Sequence, residues 1–511
     1  MHFPRPAVLL AATLLCGLPT LAWAETPATT DLNAKVETLE ARVAAQQAQI
    51  ADLQAKGDQN WLNEQRTEEI QGLIRDALAD ADTRASLAAD GTVAGNDGSF
   101  FIKTADDNFR LNIGGQIQTR YIADLRASNH LSALNGSDDG HEDGFQMRRI
   151  KVCFGGYVSE PRIDFKITLA ADRDQETMMA EEAWLAHRFG DSGVTVWGGR
   201  FQDWFGREQA GSSKYLQAVE KSIPDIVFSA ADAFIEGIGV EWKAIPEYLW
   251  FHWTVSDGFN SGTDPVVAAG SIGGSAGHDY YNGDADFATT GRIDLKIVGD
   301  WSKANAPAPA PRQLADAESW STEQGLQAFV GFGAHYEQAK SGDGQAAGRF
   351  TVTPNTATGL GTAKAVTYDE FFEWTADTLI KYRGFGFMGA FYGLHFRDTA
   401  VAGTPENLNN YGATAQAGYM VIPDKLEPFV RYEWICPDGN LNTNQLNTVT
   451  AGFNWFLKQH NAKFTLDSVL LLNNLNNVTV LNTSLKGAGL LCDDGARKGQ
   501  IVIRAQFQLL F

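Results

Sequence analysis

From about residue 100 to its last residue the chain repeats one pattern, an apolar side chain at every second position. Phe109, Leu111, Ile113, Ile117 and Tyr121 alternate with Arg110, Asn112, Gln116, Gln118 and Arg120. Ile163, Phe165, Ile167 and Leu169 alternate with Arg162, Asp164, Lys166 and Thr168. The pattern returns at 291–298, 370–383, 386–396, 411–421, 425–434, 446–456, 462–470 and 500–511, where it ends on Phe511. A period of two sends successive side chains to opposite faces of a strand, so about sixteen such runs predict an all-β domain.

Two architectures suit strands with one apolar and one charged face. A sandwich buries the apolar faces between two sheets. A membrane barrel turns them to lipid and lines an aqueous interior with the others. The runs are often about 9–13 residues long, enough to cross a bilayer at a tilt. Charges recur on the polar face of nearly every run. Tyr121, Trp197, Trp242, Trp374, Tyr382, Trp434 and Trp455 fall near run ends, where an interfacial girdle belongs. The expectation is a transmembrane antiparallel β-barrel of about 16 strands. The formal net charge of -21 over 511 residues argues against nucleic-acid partners, which need basic surface. After residue 24 no run approaches the roughly 18 apolar residues of a transmembrane helix.

The N-terminal part follows different rules. Residues 1–24 read as a signal peptide: Arg5, an apolar stretch from Ala7 to Leu21, then Ala22-Trp23-Ala24 before Glu25. Residues 25–99 read as a helical coiled-coil stalk. Val36, Val43 and Ile50 occupy one heptad position; Leu32, Leu39, Gln46 and Leu53 occupy the other. Such a seam is buried by copies of itself, and β-branched residues paired with leucine lean toward a dimer. A second helical pattern covers 61–89 and stops at Gly91, Gly95 and Gly98.

Enzyme motifs lack their context. Gly273-Gly274-Ser275-Ala276-Gly277 sits in a glycine-rich loop without the strand and helix of a nucleophile elbow. Gly384-Phe385-Gly386-Phe387-Met388-Gly389 lies in alternating sequence and opens no helix, so it is no dinucleotide loop. Cys153, Cys436 and Cys492 remain after the signal and match no zinc spacing. The expectation is no enzyme, no metal and no cofactor.

The stretches FRLNIGGQIQTRY (109–121), MRRIKVCFGGY (147–157) and WGGRFQDWFGREQAGSSKYLQAVEK (197–221), together with the terminal Phe511, resemble the phosphate-selective porin O/P family of bacterial outer-membrane proteins. The resemblance covers roughly 100–511. It implies a sixteen-stranded trimeric channel whose third loop folds inward, and, for some members, a periplasmic coiled-coil stalk. Trimers would override the dimer lean.

A channel selects by the charges lining it. On the polar face, basic residues outnumber acidic ones: Arg110, Arg120, Arg149, Lys151, Arg162, Lys166, Arg200, Arg292 and Lys296 are candidate pore-lining and anion-binding groups. Segment 202–234 has no period of two and is assigned as the inward constriction loop; it adds Arg207, Lys214 and Lys221 among several acids. The other reading of Arg162/Asp164 and Arg292/Asp294 is bracing of the wall. The expected function is an outer-membrane porin passing small hydrophilic solutes, with an anion preference and phosphate as a candidate permeant. The expected partners are outer-membrane lipid, a homotrimer of the chain, small anions as permeants, and the cell wall through the stalk. The alternative is a structural protein that anchors the envelope through the stalk.

Overall fold

A computed structural model of the chain describes residues 29–60, 91–97, 99–125, 141–172, 177–229, 234–258, 285–303, 318–320, 325–339, 345–346, 367–398, 406–436, 445–472, 488–490 and 500–511. The chain divides into two units, Met1–Leu87 and Ala88–Phe511. In the first, α1 spans Thr29–Asn60 without a break. Its seam residues Val36, Leu39, Val43 and Ile50 are all exposed in the single chain. The signal segment 1–24 and the second helical stretch expected over 61–89 lie outside the described residues.

The second unit begins with a hairpin of β1 (Thr92–Asn96) and β2 (Phe100–Thr104). There follow β3 (Phe109–Leu125), β4 (His141–Val158), β5 (Ile163–Asp172), β6 (Thr177–Arg188), β7 (Val194–Gln202), β8 (Phe234–Ile245), β9 (Leu249–Ser256), β10 (Ala285–Val298) and β11 (Gln327–Ala339). The two-residue β12 (Gln345–Ala346) precedes β13 (Thr367–Tyr382), β14 (Phe385–Asp398), β15 (Glu406–Tyr419), β16 (Leu426–Cys436), β17 (Leu446–Lys458), β18 (Ala462–Leu471) and β19 (Ile501–Leu510). From β3 onward each long strand pairs antiparallel with the next, and β11 pairs across to β13. The last strand pairs with the first, Ile501 opposite Leu125 through Leu510 opposite Gln116. Among the described residues, sixteen long strands therefore close into one barrel, which leaves no unpaired sheet edge of the kind that hydrocarbon would penalise.

Closure sorts the two faces as the alternation predicts. Leu185, Ile238, Trp253, Phe332 and Phe507 point outward and are exposed in the single chain. Their alternate neighbours Arg292, Asp294, Arg431, Asp467 and Arg504 point inward and are almost wholly buried. The connections also sort by end. At the end where Phe511 stops, most turns are short. The tightest is Arg383-Gly384, where both residues have positive φ (46° and 85°), the geometry of a two-residue hairpin turn. Gly384 of the glycine motif thus serves a turn, and the residues after it form β14. The Ser275 motif lies outside the described residues. Cys153 and Cys436 are free thiols; Cys492 lies outside the described residues.

The β1–β2 hairpin extends the sheet past the closed part. β2 pairs with Arg110–Ile113 of β3, on the edge that β19 occupies higher up. Gly115 and Phe511 exchange backbone hydrogen bonds at the junction (2.8 and 3.3 Å).

Candidate functional site

The connection between β7 and β8 does not leave the barrel. Residues 203–229 turn inward, and nearly all of them are buried. Within it, α2 (Ile223–Phe228) is held at its start by Ser222, whose hydroxyl accepts from the Asp225 amide, and by Glu433 of β16, which accepts from the Ile223 amide at 2.7 Å. The loop reaches walls on several sides of the lumen. Asp203 accepts hydrogen bonds from Thr254 (3.1 Å) and Thr290 (2.5 Å). Arg207 donates to Asp294 (3.2 Å) and Asp377 (2.9 Å). The Val219 amide donates to Asp467 (3.0 Å), and Gln217 donates to Glu427 (2.7 Å). On the β3–β19 side, Gln118 donates to the Ser213 carbonyl and Gln508 to the Lys214 carbonyl.

Part of this packing is apolar. Ile223, Val227 and Phe228 sit among Tyr392, Leu394, Ile435, Leu446, Val469, Leu471 and Val502, all lumen-facing residues of the wall. The Phe228 ring occupies the space that a side chain at Gly412 would need: a Cβ there would stand 2.5 Å from the ring. At Gly333 the backbone carbonyl of Phe205 approaches as closely. Glycine at these wall positions makes room for the loop. The lumen is therefore not uniformly polar, as strict alternation implied.

Among the charges, Arg292 donates to both Asp294 and Asp377 and to the Phe205 carbonyl at 3.0 Å. With Arg207 it forms a buried group of two cations and two carboxylates. Glu220 of the loop is different. It faces Arg120 at 2.7 Å, Arg149 at 2.9 Å, and Arg148. Arg148 is present because β4 carries a bulge there: Gln118 pairs with Arg149 and Thr119 with Met147, leaving Arg148 as the extra residue. Two consecutive arginines then face inward, and Arg120, Arg148 and Arg149 converge on Glu220. A second bulge, at Glu181 of β6, brings Glu181 and Glu182 inward together. They pair with Lys151 and Lys166, each at 2.5 Å.

The other candidates scatter. Lys214 of the loop stands 3.8 Å from the Cys153 sulfur. Lys221 donates to the Gln209 carbonyl at 3.3 Å and lies 3.9 Å from Asp225. Lys296 pairs with the exposed Glu247 at the barrel rim (3.3 Å). Arg200 lies at the last pair before β7 leaves β6, 3.5 Å from Glu236. Two residues assigned to the pore wall are placed elsewhere. Arg110 lies where β3 pairs with β2, beyond the closed part, and donates to Asp97 at 2.7 Å, which holds that carboxyl below its usual range. Arg162 is exposed in the β4–β5 turn. Alternation gives the face of a residue but not where along its strand the barrel wall ends.

A second intrusion lies at the opposite mouth. Between β10 and β11, Glu318 and Ser319 are buried. The Ser319 hydroxyl accepts from the Gly384 amide at 3.2 Å, and Trp320 packs edge-on against Phe456 and His460. Burial, reinforced by nearby Glu427, pushes the Glu318 carboxyl up to about 8.

Residues 89–289 match the family model described as phosphate-selective porin O and P. No curated protein matches the chain. Among solved structures it is similar to an OmpF of Salmonella typhi in complex with daunomycin (10% identity, 80% of this chain and 99% of that one, TM-score 0.48). It is also similar to the trimer form of OmpT from Vibrio cholerae (10% identity, 79% and 100%, TM-score 0.47). An anion-selective porin from Comamonas acidovorans stands at 9% identity, 78% and 99%, TM-score 0.46. Likeness at this level carries no argument about what this chain conveys.

Proposed function

We propose that this chain, whose residues 89–289 match the porin O and P family model, is an outer-membrane channel for small hydrophilic solutes, with an anion preference set where the inward loop meets β3 and β4. The observation that carries this reading is the Glu220 group. Arg120, Arg148 and Arg149 converge there on the loop carboxylate, and the Arg148 side chain keeps 27% of its surface open. Arginines gathered in a low-dielectric enclosure attract anions more strongly than they would in water. Elsewhere in the lumen, Arg207, Arg292, Lys151 and Lys166 are matched by carboxylates and brace the loop and wall. Arg120, Arg148 and Arg149 are thus the anion-facing set, and Lys214 adds to it. Arginine suits phosphate and carboxylate by its planar fork.

In this reading the outward apolar face meets lipid, α1 zips to two further copies in the periplasm, and residues 1–24 direct export. The test is the reversal potential of single channels in a KCl gradient. A chloride preference that weakens in Arg148→Ala supports the assignment; a potassium preference rejects it.

The second reading, a structural anchor, has one observation in its favour. The lumen is densely filled, with Arg292, Arg431, Arg504 and Phe228 almost wholly buried. Planar-bilayer recording separates the two: folded protein that never conducts leaves only the anchor.

A further inference from the structure

A small pocket of about 30 Å³ lies between the inward loop and the inner face of β3–β6, beside the Lys151 and Lys166 pairs. Cys153 is a free, half-buried thiol in its wall. The Lys214 ammonium stands 3.8 Å from its sulfur, and the Thr168 hydroxyl points to it at 3.6 Å. Glu181 and Glu182 neutralise Lys151 and Lys166. Among the described residues no carboxylate lies within ion-pair distance of Lys214, so the cavity keeps one positive charge over.

An independent feature points to a ligand. Gln116 lines the same cavity and is fully buried. Its carbonyl accepts from Ser213 at 3.3 Å, but its amide nitrogen has no hydrogen-bond partner. A buried donor left open is costly, and an acceptor atom of a bound molecule satisfies it.

We propose that this cavity is a reactive-thiol site: Cys153 is modified there by small anions carrying an electrophilic sulfur, which Lys214 attracts and Gln116 holds through an oxygen. With a thiosulfonate the chemistry is a simple exchange. The thiol proton goes to water. The thiolate sulfur then forms a disulfide with the sulfenyl sulfur of the reagent. The bond from that sulfur to the sulfonyl group breaks, and a sulfinate leaves with the electron pair. The site does not depend on the channel reading, because labelling is measured whether or not the protein conducts.

The experiment uses the full chain carrying Cys436→Ser and Cys492→Ser, folded in detergent, with peptide mass mapping of Cys153. The probes are the 2-sulfonatoethyl and 2-(trimethylammonium)ethyl methanethiosulfonates at equal concentration. The anionic reagent is expected to label Cys153 about tenfold faster than the cationic one, the low end of electrostatic steering in a charged cleft. Lys214→Gln is expected to bring the two rates together, Lys214→Arg to keep them apart, and Gln116→Leu to slow only the anionic reagent. Equal rates in the parent protein, no response to Lys214→Gln, or a Cys153 that stays unlabelled in the heat-modifiable folded form overturns the proposal.

Discussion

Arg148 and Arg149 are consecutive in the chain, yet both reach the same carboxylate, with their Nη2 atoms 3.4 and 2.9 Å from Glu220. In an unbroken strand they would face opposite sides of the wall. The bulge that turns both inward ties the loop to β4 through Glu220.

Replacing Glu220 tests both consequences. Glu220→Gln leaves three inward arginines without their carboxylate. Breaking a buried pair from one side costs about 3–5 kcal/mol, so the unfolding midpoint of the variant in denaturant should fall. Its reversal potential in a KCl gradient should move further toward the chloride limit. Unchanged selectivity would place these arginines away from the ion path.

Phe228 tests the apolar tie. Its ring fills the gap above Gly412, so Phe228→Ala should loosen α2 by about 3–5 kcal/mol, the cost of truncating a buried aromatic. Gly412→Val should act from the other side by occupying the ring's seat. Both variants should conduct better than the parent and admit protease to residues 203–229. A lower conductance in either contradicts the placement of this loop across the lumen.

Glu318 predicts a pH response at the other mouth. Its carboxyl is raised to about 8 in the folded chain, from an ordinary 4.5, by burial and then by Glu427. The neutral form therefore favours the docked segment. That contribution is complete below the unfolded value and is lost as pH climbs toward 8. Trp320 fluorescence and amide exchange at Ser319 should report loosening across this window, and Glu318→Gln should flatten the response. Loosening on acidification instead would refute it.

For α1, the exposed seam of Val36, Leu39, Val43 and Ile50 predicts self-association of the intact protein. Leu39→Glu together with Val43→Glu should lower the oligomer mass seen by analytical ultracentrifugation in detergent, or at least its resistance to dilution. Identical masses would assign oligomerisation wholly to the barrel.

The barrel was legible because alternation is a property of every strand and does not depend on distant partners. Runs such as Phe109–Tyr121 and Ile501–Phe511 carry their faces openly. The inward loop was legible from the lack of any period over 202–234, though not what it would touch. The failures have separate causes. A bulge inserts a residue and shifts the faces beyond it, and nothing local to Arg148 or Glu181 announces one. Arg110 and Arg162 were misplaced because alternation runs on into turns and hairpins. The Glu318–Trp320 intrusion and the seat of Phe228 at Gly412 depend on residues far apart in sequence, whose meeting no periodicity encodes.

Gln118 of β3 and Gln508 of β19 hydrogen-bond to each other at 2.7 Å, and each also binds the adjacent carbonyls of Ser213 and Lys214. The staves at the start and finish of the cylinder thus clasp the inner loop as they join. Completing these bonds brings the loop and both terminal strands together in one assembly step. Pairing residues almost four hundred positions apart makes this step slow. Until it occurs, the sheet keeps two bare margins, which only closure removes.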